Sequence, residues 1–377
     1  MSQLQQRYQR ELSGGTLSVN TASAIPLDTL FDIAERRNPR RAFLFVSKVL
    51  GRHIPVSPST MQATYRQLAG QLPATLPGPV LFIGMAETAV GMAAGIFREA
   101  RRQIAEPVFI TSTRHPVDGE LFCEFKENHS HATDHLIYLP EAPQLRQRAL
   151  TARTLVLIDD EATTGNTFIN LLAALRAAGL SSIERVVTVT LTDWSGDALR
   201  ENCPLPVEVV SLVKGSWAWT PRPGAPVPVM PSVNVTARGS WPVSARQDWG
   251  RLGMDETCCA ITPPRVAFPG EKILVLGSGE FVWQPFLLAE QLELAGAEVK
   301  FSSLTRSPIA PGLAIQSTLA FSDNYGLGIP NFVYNVAHQQ FDRILICVET
   351  AQASVCPTLI DALTHSVAPR VEVISYE

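Results

Sequence analysis

Short apolar runs of β type alternate along the chain with longer segments of helical pattern. Pro79–Ile83 reads as a strand and Ala89–Arg102 after it as a helix. Pro107–Ile110 is the next strand. Leu155–Ile158 follows, then a helix over Thr167–Ala178, then strands over Arg185–Thr190 and Val207–Val213. Strands this short, separated by helices, predict a mostly parallel sheet with helices on its faces. From Lys214 to Pro269 the periodicity fades while Pro and Trp become frequent (Trp217, Trp219, Trp241, Trp249). That texture predicts an ordered excursion leading into a linker, because a flexible tether would not be rich in Trp. A second α/β block opens with strand Lys272–Leu276, helix Phe286–Ala295 and strand Glu298–Phe301, and holds a later strand Arg343–Val348.

The two blocks share motifs at matched offsets. In the first, strand Leu81–Ile83 runs into Gly84-Met-Ala-Glu87, and Thr113-Arg114-His115-Pro116 follows the next strand. In the second, Ile273–Leu276 runs into Gly277-Ser-Gly279-Glu280, with Thr305-Arg306-Ser307-Pro308 further on. Gly84 to Thr113 is 29 positions and Gly277 to Thr305 is 28, which points to a duplicated unit.

Composition narrows the class. The chain has 377 residues, enough for two domains, and 46% hydrophobic against 18% charged residues suits a large packed core. A net charge of -4 gives no basic field for nucleic acid or a membrane surface. No C-x-x-C pair occurs among the six cysteines, so reduced thiols are expected. The N-terminus carries no apolar signal core and no apolar run reaches membrane-spanning length, so a cytoplasmic protein is expected.

Leu155-Val-Leu-Ile-Asp159-Asp160-Glu161-Ala-Thr163-Thr164-Gly165-Asn166-Thr167 carries the candidate chemistry. A buried strand ends in carboxylates, then a loop of small residues opens a helix. Ligands of open α/β sheets bind beyond the carboxyl ends of strands. A helix N-terminus offers backbone N–H groups and a favourable dipole to a phosphate. Asp159 and Asp160 are acceptors suited to a diol, and Thr163, Thr164 and Thr167 add hydroxyl donors. The pattern describes a ribose 5-phosphate cradle; a strand and capped helix with no ligand is the plainer alternative. No G-x-x-x-x-G-K-[ST] exists, which excludes a P-loop.

This segment resembles the signature of type I phosphoribosyltransferases. The resemblance implies that Asp159 and Asp160 hold the ribose hydroxyls and that Thr163, Thr164, Gly165, Asn166 and Thr167 wrap the 5-phosphate. Asn166 stands where Gly is usual, and Asn tolerates a left-handed backbone. Gly84, Met85, Ala86, Glu87 and Thr88 fall where that family has its diphosphate loop. Glu87 is unexpected beside a diphosphate and calls for Mg²⁺ or a basic partner.

More closely, the chain resembles phosphoribosyltransferases followed by a TRSP domain, found in bacterial gene clusters associated with tellurium resistance and stress. Asn38-Pro-Arg-Arg41, Val46-Ser-Lys48-Val-Leu-Gly51-Arg-His53-Ile-Pro55, Glu127-Asn-His129-Ser-His131, Thr305–Pro308, Asp323-Asn-Tyr325-Gly and Ile329–Asn335 carry this likeness. It implies phosphoribosyl transfer to an unsettled acceptor in nucleoside-like metabolism, with Lys48 and His53 on the acceptor side.

Other residues have candidate roles. Thr111–His135 is long, polar and His-rich, as expected of a mobile lid that shields an oxocarbenium-like transition state. Within it Arg114 could reach diphosphate oxygens, and His129 or His131 could act as general acid or base. Glu127, His129, His131 and His135 cannot share one helical face, which weighs against a metal site, so none is assigned. Gly277-Ser-Gly279-Glu280 is an incomplete dinucleotide fingerprint; Gly279, Glu280, Thr305, Arg306 and Ser307 are candidate ligand contacts of the second block.

The expected fold is therefore a type I phosphoribosyltransferase-like parallel sheet plus a second Rossmann-like α/β domain. The expected divisions are 1–235, a linker over 236–265, and 266–377. The expected substrates are 5-phosphoribosyl 1-diphosphate, with Mg²⁺ carried on its diphosphate, and a base-like acceptor, with no nucleic acid or membrane partner. A homodimer is the candidate assembly. The alternative reading is a non-catalytic sensor of the same sugar or of a nucleotide.

Overall fold

Val80–Gly84 and Thr154–Ile158 are runs of five residues in which every side chain is buried, the signature of strands covered on both faces. In the computed structural model, which describes residues 4–23, 25–38, 41–125, 135–235, 237, 239, 241, 243, 249–256 and 266–377, they lie inside the largest sheet. Its parallel part runs in the order Val207–Pro221, Arg185–Asp193, Thr154–Ile158, Val80–Gly84, Pro107–Thr111. Short Glu161–Ala162 adds to Arg185–Asp193 just beyond the acid pair. Most of these elements match the sequence pattern within two or three residues. Val207–Pro221 is longer than the apolar run implies. Its far half pairs antiparallel with Gly15–Ser23, which pairs in turn with Leu4–Leu12. Trp217 and Trp219 therefore belong to a strand of the first sheet, so the ordered stretch begins as sheet and not as the lead into a linker.

The second sheet is parallel throughout, in the order Glu298–Leu304, Lys272–Ser278, Arg343–Val348, Val371–Ser375. The first unit repeats this order with Pro107–Thr111, Val80–Gly84, Thr154–Ile158 and Arg185–Asp193. In each unit a hairpin follows the second strand: Leu121–Phe125 with His135–Tyr138, and Thr318–Ser322 with Pro330–Tyr334. The correspondence extends to single residues. Thr113 bridges Leu136 and Thr305 bridges Phe332, each through a reciprocal pair of backbone hydrogen bonds.

One hydrophobic core runs through both units, from Leu17 and Phe82 to Phe286 and Leu345. Tyr65 sits edge-on to Phe286 at 5.8 Å, and Arg98 lies 5.1 Å over the Trp283 ring while holding Glu290 through two hydrogen bonds of 2.8 and 2.9 Å. Some of the described residues between the units are part of this packing. Phe109 and Met254 exchange backbone hydrogen bonds of 2.8 and 2.9 Å, so residues near 254 cover the open edge of the first sheet. Trp241 N–H donates to the Tyr325 carbonyl at 2.8 Å. No helix of the described residues is long and apolar enough to cross a membrane.

Candidate active site

Register decides which loops meet. Gly84 pairs with Ile158 on one side and Thr111 on the other. The residues after each strand, Met85–Thr88, Asp159–Asp160 and Ser112–Arg114, therefore leave the sheet side by side at its carboxyl edge. In the second sheet Ser278 pairs with Leu304, so Gly279-Glu280 and Thr305–Ser307 also leave together. The two carboxyl edges face each other across a cavity of about 710 Å³. Glu87, Thr88, Arg114, Asp159 and Asp160 line it from the first unit, and Thr305, Arg306, Ser307, Pro308 and Ile329 from the second. A hairpin of Phe31–Glu35 with Phe43–Ser47 covers it, presenting Leu44, Phe45 and Ser47. A second recess of about 350 Å³, lined by Glu161–Phe168, adjoins the first at Asp159 and Asp160.

The smaller recess holds the Thr/Gly loop. Gly165 has φ +79°, and a Cβ there would stand 2.7 Å from Leu199 Cδ1, so only glycine fits. Asn166 is already the first residue of the helix Asn166–Ala177. Its tolerance of a left-handed backbone is thus not called upon; Gly165 takes that conformation. The first N–H groups of this helix have no intrahelical acceptor. Arg41 braces the loop from the covering hairpin, donating to Thr163 Oγ1 at 3.2 Å and pairing with Glu161 at 2.5 Å.

Asp159 Oδ1 accepts the Asp160 N–H at 2.9 Å. Burial pushes the Asp160 carboxyl above its ordinary pKa, with the Asp159 hydrogen bond and the charges of Arg52 and Arg41 drawing it back. Arg36 lines both recesses; burial and neighbouring Arg41 bring it down to about 10, still cationic at neutral pH.

In the loop after Val80–Gly84, Met85 N–H donates to the Ile158 carbonyl at 2.9 Å and Ala86 N–H to Ser112 Oγ at 2.8 Å. Ser112 Oγ also contacts His135 Nδ1 at 3.1 Å. That leaves the amides of Glu87 and Thr88 as the loop's donors for a ligand. The Ala86–Glu87 peptide is cis. Glu87 has the basic partners its position demands: Arg52, and Arg306 at 3.5 Å.

The two shared motifs clasp each other across the units. Glu87, from G-x-x-E of the first, accepts from Thr305 Oγ1 at 3.3 Å and pairs with Arg306. Glu280, from G-x-x-E of the second, accepts from Thr113 Oγ1 and the Arg114 N–H, both at 2.7 Å. Arginines complete the exchange. Arg52 donates to the Gly279 carbonyl at 2.7 Å and Ser303 Oγ at 3.1 Å while pairing with Glu87. Arg251 binds Glu280 at 3.0 Å and Glu349 through bonds of 2.6 and 3.0 Å. Glu349 stands where the second unit matches Asp160, and Tyr325 OH donates to it at 2.7 Å. The region equivalent to the acid pair is thus occupied by the chain's own ion pairs. Burial alone would raise the Glu280 carboxyl, but the charges of His115 and Arg251, with the bonds from Thr113 and Arg114, hold it at about 2.

The remaining candidates scatter. His53 lines the large cavity, and its buried Nε2 has no hydrogen-bond partner. Burial, with Arg52 beside it, lowers the imidazole pKa to about 3, so it is neutral. Lys48 lies off the cavity and donates to the Asp28 carbonyl at 2.7 Å. Gly279 and Glu280 stand behind the cavity wall as partners of Arg52 and Arg251. His129 and His131 lie outside the described residues. Arg36 has no mark in the sequence, and Arg52 lies within the Val46–Pro55 motif without being a candidate there; the sequence gives no local signal of where a long arginine side chain ends.

Residues 30–216 match a family described as phosphoribosyl transferase, and residues 255–363 match the TRSP domain described as C-terminal to it. No curated protein matches the chain. Solved structures with some likeness include an adenine phosphoribosyltransferase from Rhodothermus marinus, 17% identical over 49% of this chain and 94% of that one, with a TM-score of 0.31. Another is the Trypanosoma brucei adenine phosphoribosyl transferase in complex with AMP, pyrophosphate and ribose-5-phosphate, 12% identical over 50% of this chain and 80% of that one, TM-score 0.34. An acid pair ending a buried parallel strand, with a small-residue loop opening the next helix, is the layout of a phosphoribosyltransferase, a transferase enzyme. Within that class, the chain belongs to the family whose members carry a TRSP domain after the transferase unit.

Proposed function

We propose that the paired recesses bind 5-phosphoribosyl 1-diphosphate with Mg²⁺ and transfer its phosphoribosyl group to a base or base-like acceptor. One observation carries the reading: Asp159 and Asp160 line both recesses, between the Thr163–Thr167 loop and the Glu87–Thr88 turn. A ribose clasped by the two carboxylates there has its 5-phosphate at the helix N-terminus and its C1 in the larger recess. The acceptor's lone pair forms the new bond to C1 as the C1–O bond breaks, and diphosphate departs with that electron pair. Positive charge grows on the sugar ring in between, and the half-buried carboxylates stabilise it.

Mg²⁺ bound with the diphosphate offsets the charge of the leaving group. Asp159 and Asp160 are the hard oxygen donors such a cation prefers. Two carboxylates supply only part of such a cation's coordination shell, as suits a cation that arrives with its substrate. In this reading Arg114, which lines the cavity from the first unit, meets the diphosphate, and Thr305, Arg306 and Ser307 bound the acceptor end from the second.

Calorimetric titration of wild type and Asp160→Asn tests the assignment. The variant should bind the magnesium complex of the diphosphate sugar at least about tenfold more weakly, the scale of a lost charge-assisted contact in a partly buried site. Its thermal unfolding should stay close to that of wild type. Unchanged affinity would move the sugar elsewhere.

A further inference from the structure

Charge in the smaller recess does not balance once a sugar phosphate is placed there. Asp159, Asp160 and Glu161 line it, and Arg36 is the only cation among the described residues that do. Arg41 stands close by, but its charge is spent within the protein: it pairs with Glu161 and stacks over the rings of Phe43, Phe45 and Trp217. A helix N-terminus contributes about half a positive charge. A phosphate monoester brings about 1.5–2 negative ones at neutral pH. The helix Asn166–Ala177 alone therefore leaves the phosphate under-compensated beside carboxylates.

Arg36 is held at this end of the site. Its backbone N–H donates to the Ala42 carbonyl at 3.1 Å and its Nε to the Arg41 carbonyl at 3.0 Å, so it is tied across the turn of the covering hairpin. After burial itself, the groups that shift its pKa are Arg41 and Glu161, both beside the Thr163–Thr167 loop. Arg52 differs: after burial, it responds to Asp160, Arg306, Glu280 and Arg114 around the larger recess. The loop itself is set to donate. Thr163 Oγ1 accepts from Arg41 at 3.2 Å and Thr164 Oγ1 accepts the Asn166 N–H at 3.3 Å, which leaves both hydroxyl protons for a ligand.

The hairpin that carries Arg36 also presents Leu44, Phe45 and Ser47 to the larger recess, and Leu44 lines both. An anion that draws in Arg36 therefore draws in the cover of the whole cavity. The planar fork of an arginine matches two oxygens of a phosphate, so this pull is directional as well as electrostatic.

We propose that Arg36 is a second grip on the sugar's 5-phosphate, opposite the Thr163–Thr167 loop, and that the bound phosphate fastens the covering hairpin over the cavity. This rests on the phosphoribosyl reading of the same recesses. The hairpin then distinguishes a phosphorylated pentose from a free one, and the larger recess takes its final shape only after the sugar phosphate has entered.

Calorimetry on the full chain with ribose 5-phosphate, and with the magnesium complex of 5-phosphoribosyl 1-diphosphate, tests it. Arg36→Gln should weaken both by the same factor, about tenfold, the scale of one charge-assisted contact to the phosphate they share. Arg36→Lys, which keeps the charge without the fork, should fall between wild type and Arg36→Gln. Thermal unfolding of both variants should stay close to that of wild type. Hydrogen exchange reads the hairpin. With ribose 5-phosphate at about 100 times its Kd, backbone amides of Phe31–Glu35 and Phe43–Ser47 in wild type should exchange about tenfold or more slowly than without it. Arg36→Gln, saturated to the same degree, should lose that slowing. Unchanged ribose 5-phosphate affinity in Arg36→Gln overturns the proposal. So does a loss confined to the diphosphate sugar, which places the arginine on the leaving group, and so does a slowing that survives the substitution at saturation. A wild type that ignores ribose 5-phosphate removes the phosphoribosyl reading and this one with it. Binding that is equally tight with and without Arg36 leaves that reading standing and removes this one alone.

Discussion

Gly165 shows how much one residue can decide. Its positive φ and the closeness of Leu199 leave no room for a side chain. Gly165→Ala should cost about 1–3 kcal/mol in denaturant unfolding, from backbone strain and displaced packing. It should also weaken ribose 5-phosphate binding, because the loop before it and the helix N-terminus after it would shift. The Thr/Gly composition makes this loop legible in the sequence, but the family resemblance directs attention to a left-handed backbone at Asn166, one residue late. Glu280 offers a second test at this scale. Its folded pKa of about 2 lies below the ordinary 4.5. A depressed carboxylate stabilises the fold above its ordinary pKa, and that contribution is lost as pH falls from about 4.5 toward 2. The difference corresponds to about 3 kcal/mol for a fully buried group. Stability measured against pH should therefore fall across that window, and Glu280→Gln should flatten the fall.

Strands and helices are the most legible elements, because buried parallel strands read as continuous apolar runs. Val80–Gly84, Thr154–Ile158 and Arg343–Val348 are fully buried and lie within a residue or two of their apolar runs. The antiparallel hairpin Leu4–Leu12 with Gly15–Ser23 is not legible, since its polar-rich alternation carries little hydrophobic signal. Equally hidden is the ion network pinned by Arg251. That residue lies in a stretch that reads as linker, and sequence spacing does not tell that it ends between Glu280 and Glu349. Arg251→Met leaves two buried carboxylates without their cation and should destabilise the protein by about 3–5 kcal/mol in chemical denaturation. Adding Glu280→Gln and Glu349→Gln to it should recover much of that loss. If the single variant unfolds like wild type, the network is not holding the units together.

At the scale of the whole chain, matched motifs correctly imply two similar units, but not that they share a core. Phe286, Phe301 and Leu345 of the second unit belong to the same cluster as Tyr65 and Phe82 of the first. Full burial of each such side chain is worth about 1.5–3 kcal/mol. Calorimetry of the intact protein should therefore show one cooperative transition. A chain ending at residue 235 should aggregate or lose that transition, since its Tyr65 face would be bare. Two separate transitions in the full chain would mean that the units fold alone.

The crossed glutamates have a consequence for how such a chain can change over generations. Each half keeps its own loop in shape with a side chain that belongs to the other, so neither motif can drift by itself. A replacement of Glu87 takes from Thr305 and Arg306 the carboxylate they share, and a replacement of Thr113 takes from Glu280 one of its donors. In relatives of this protein the two letters of each clasp should be kept or lost as pairs, across a separation of more than a hundred residues.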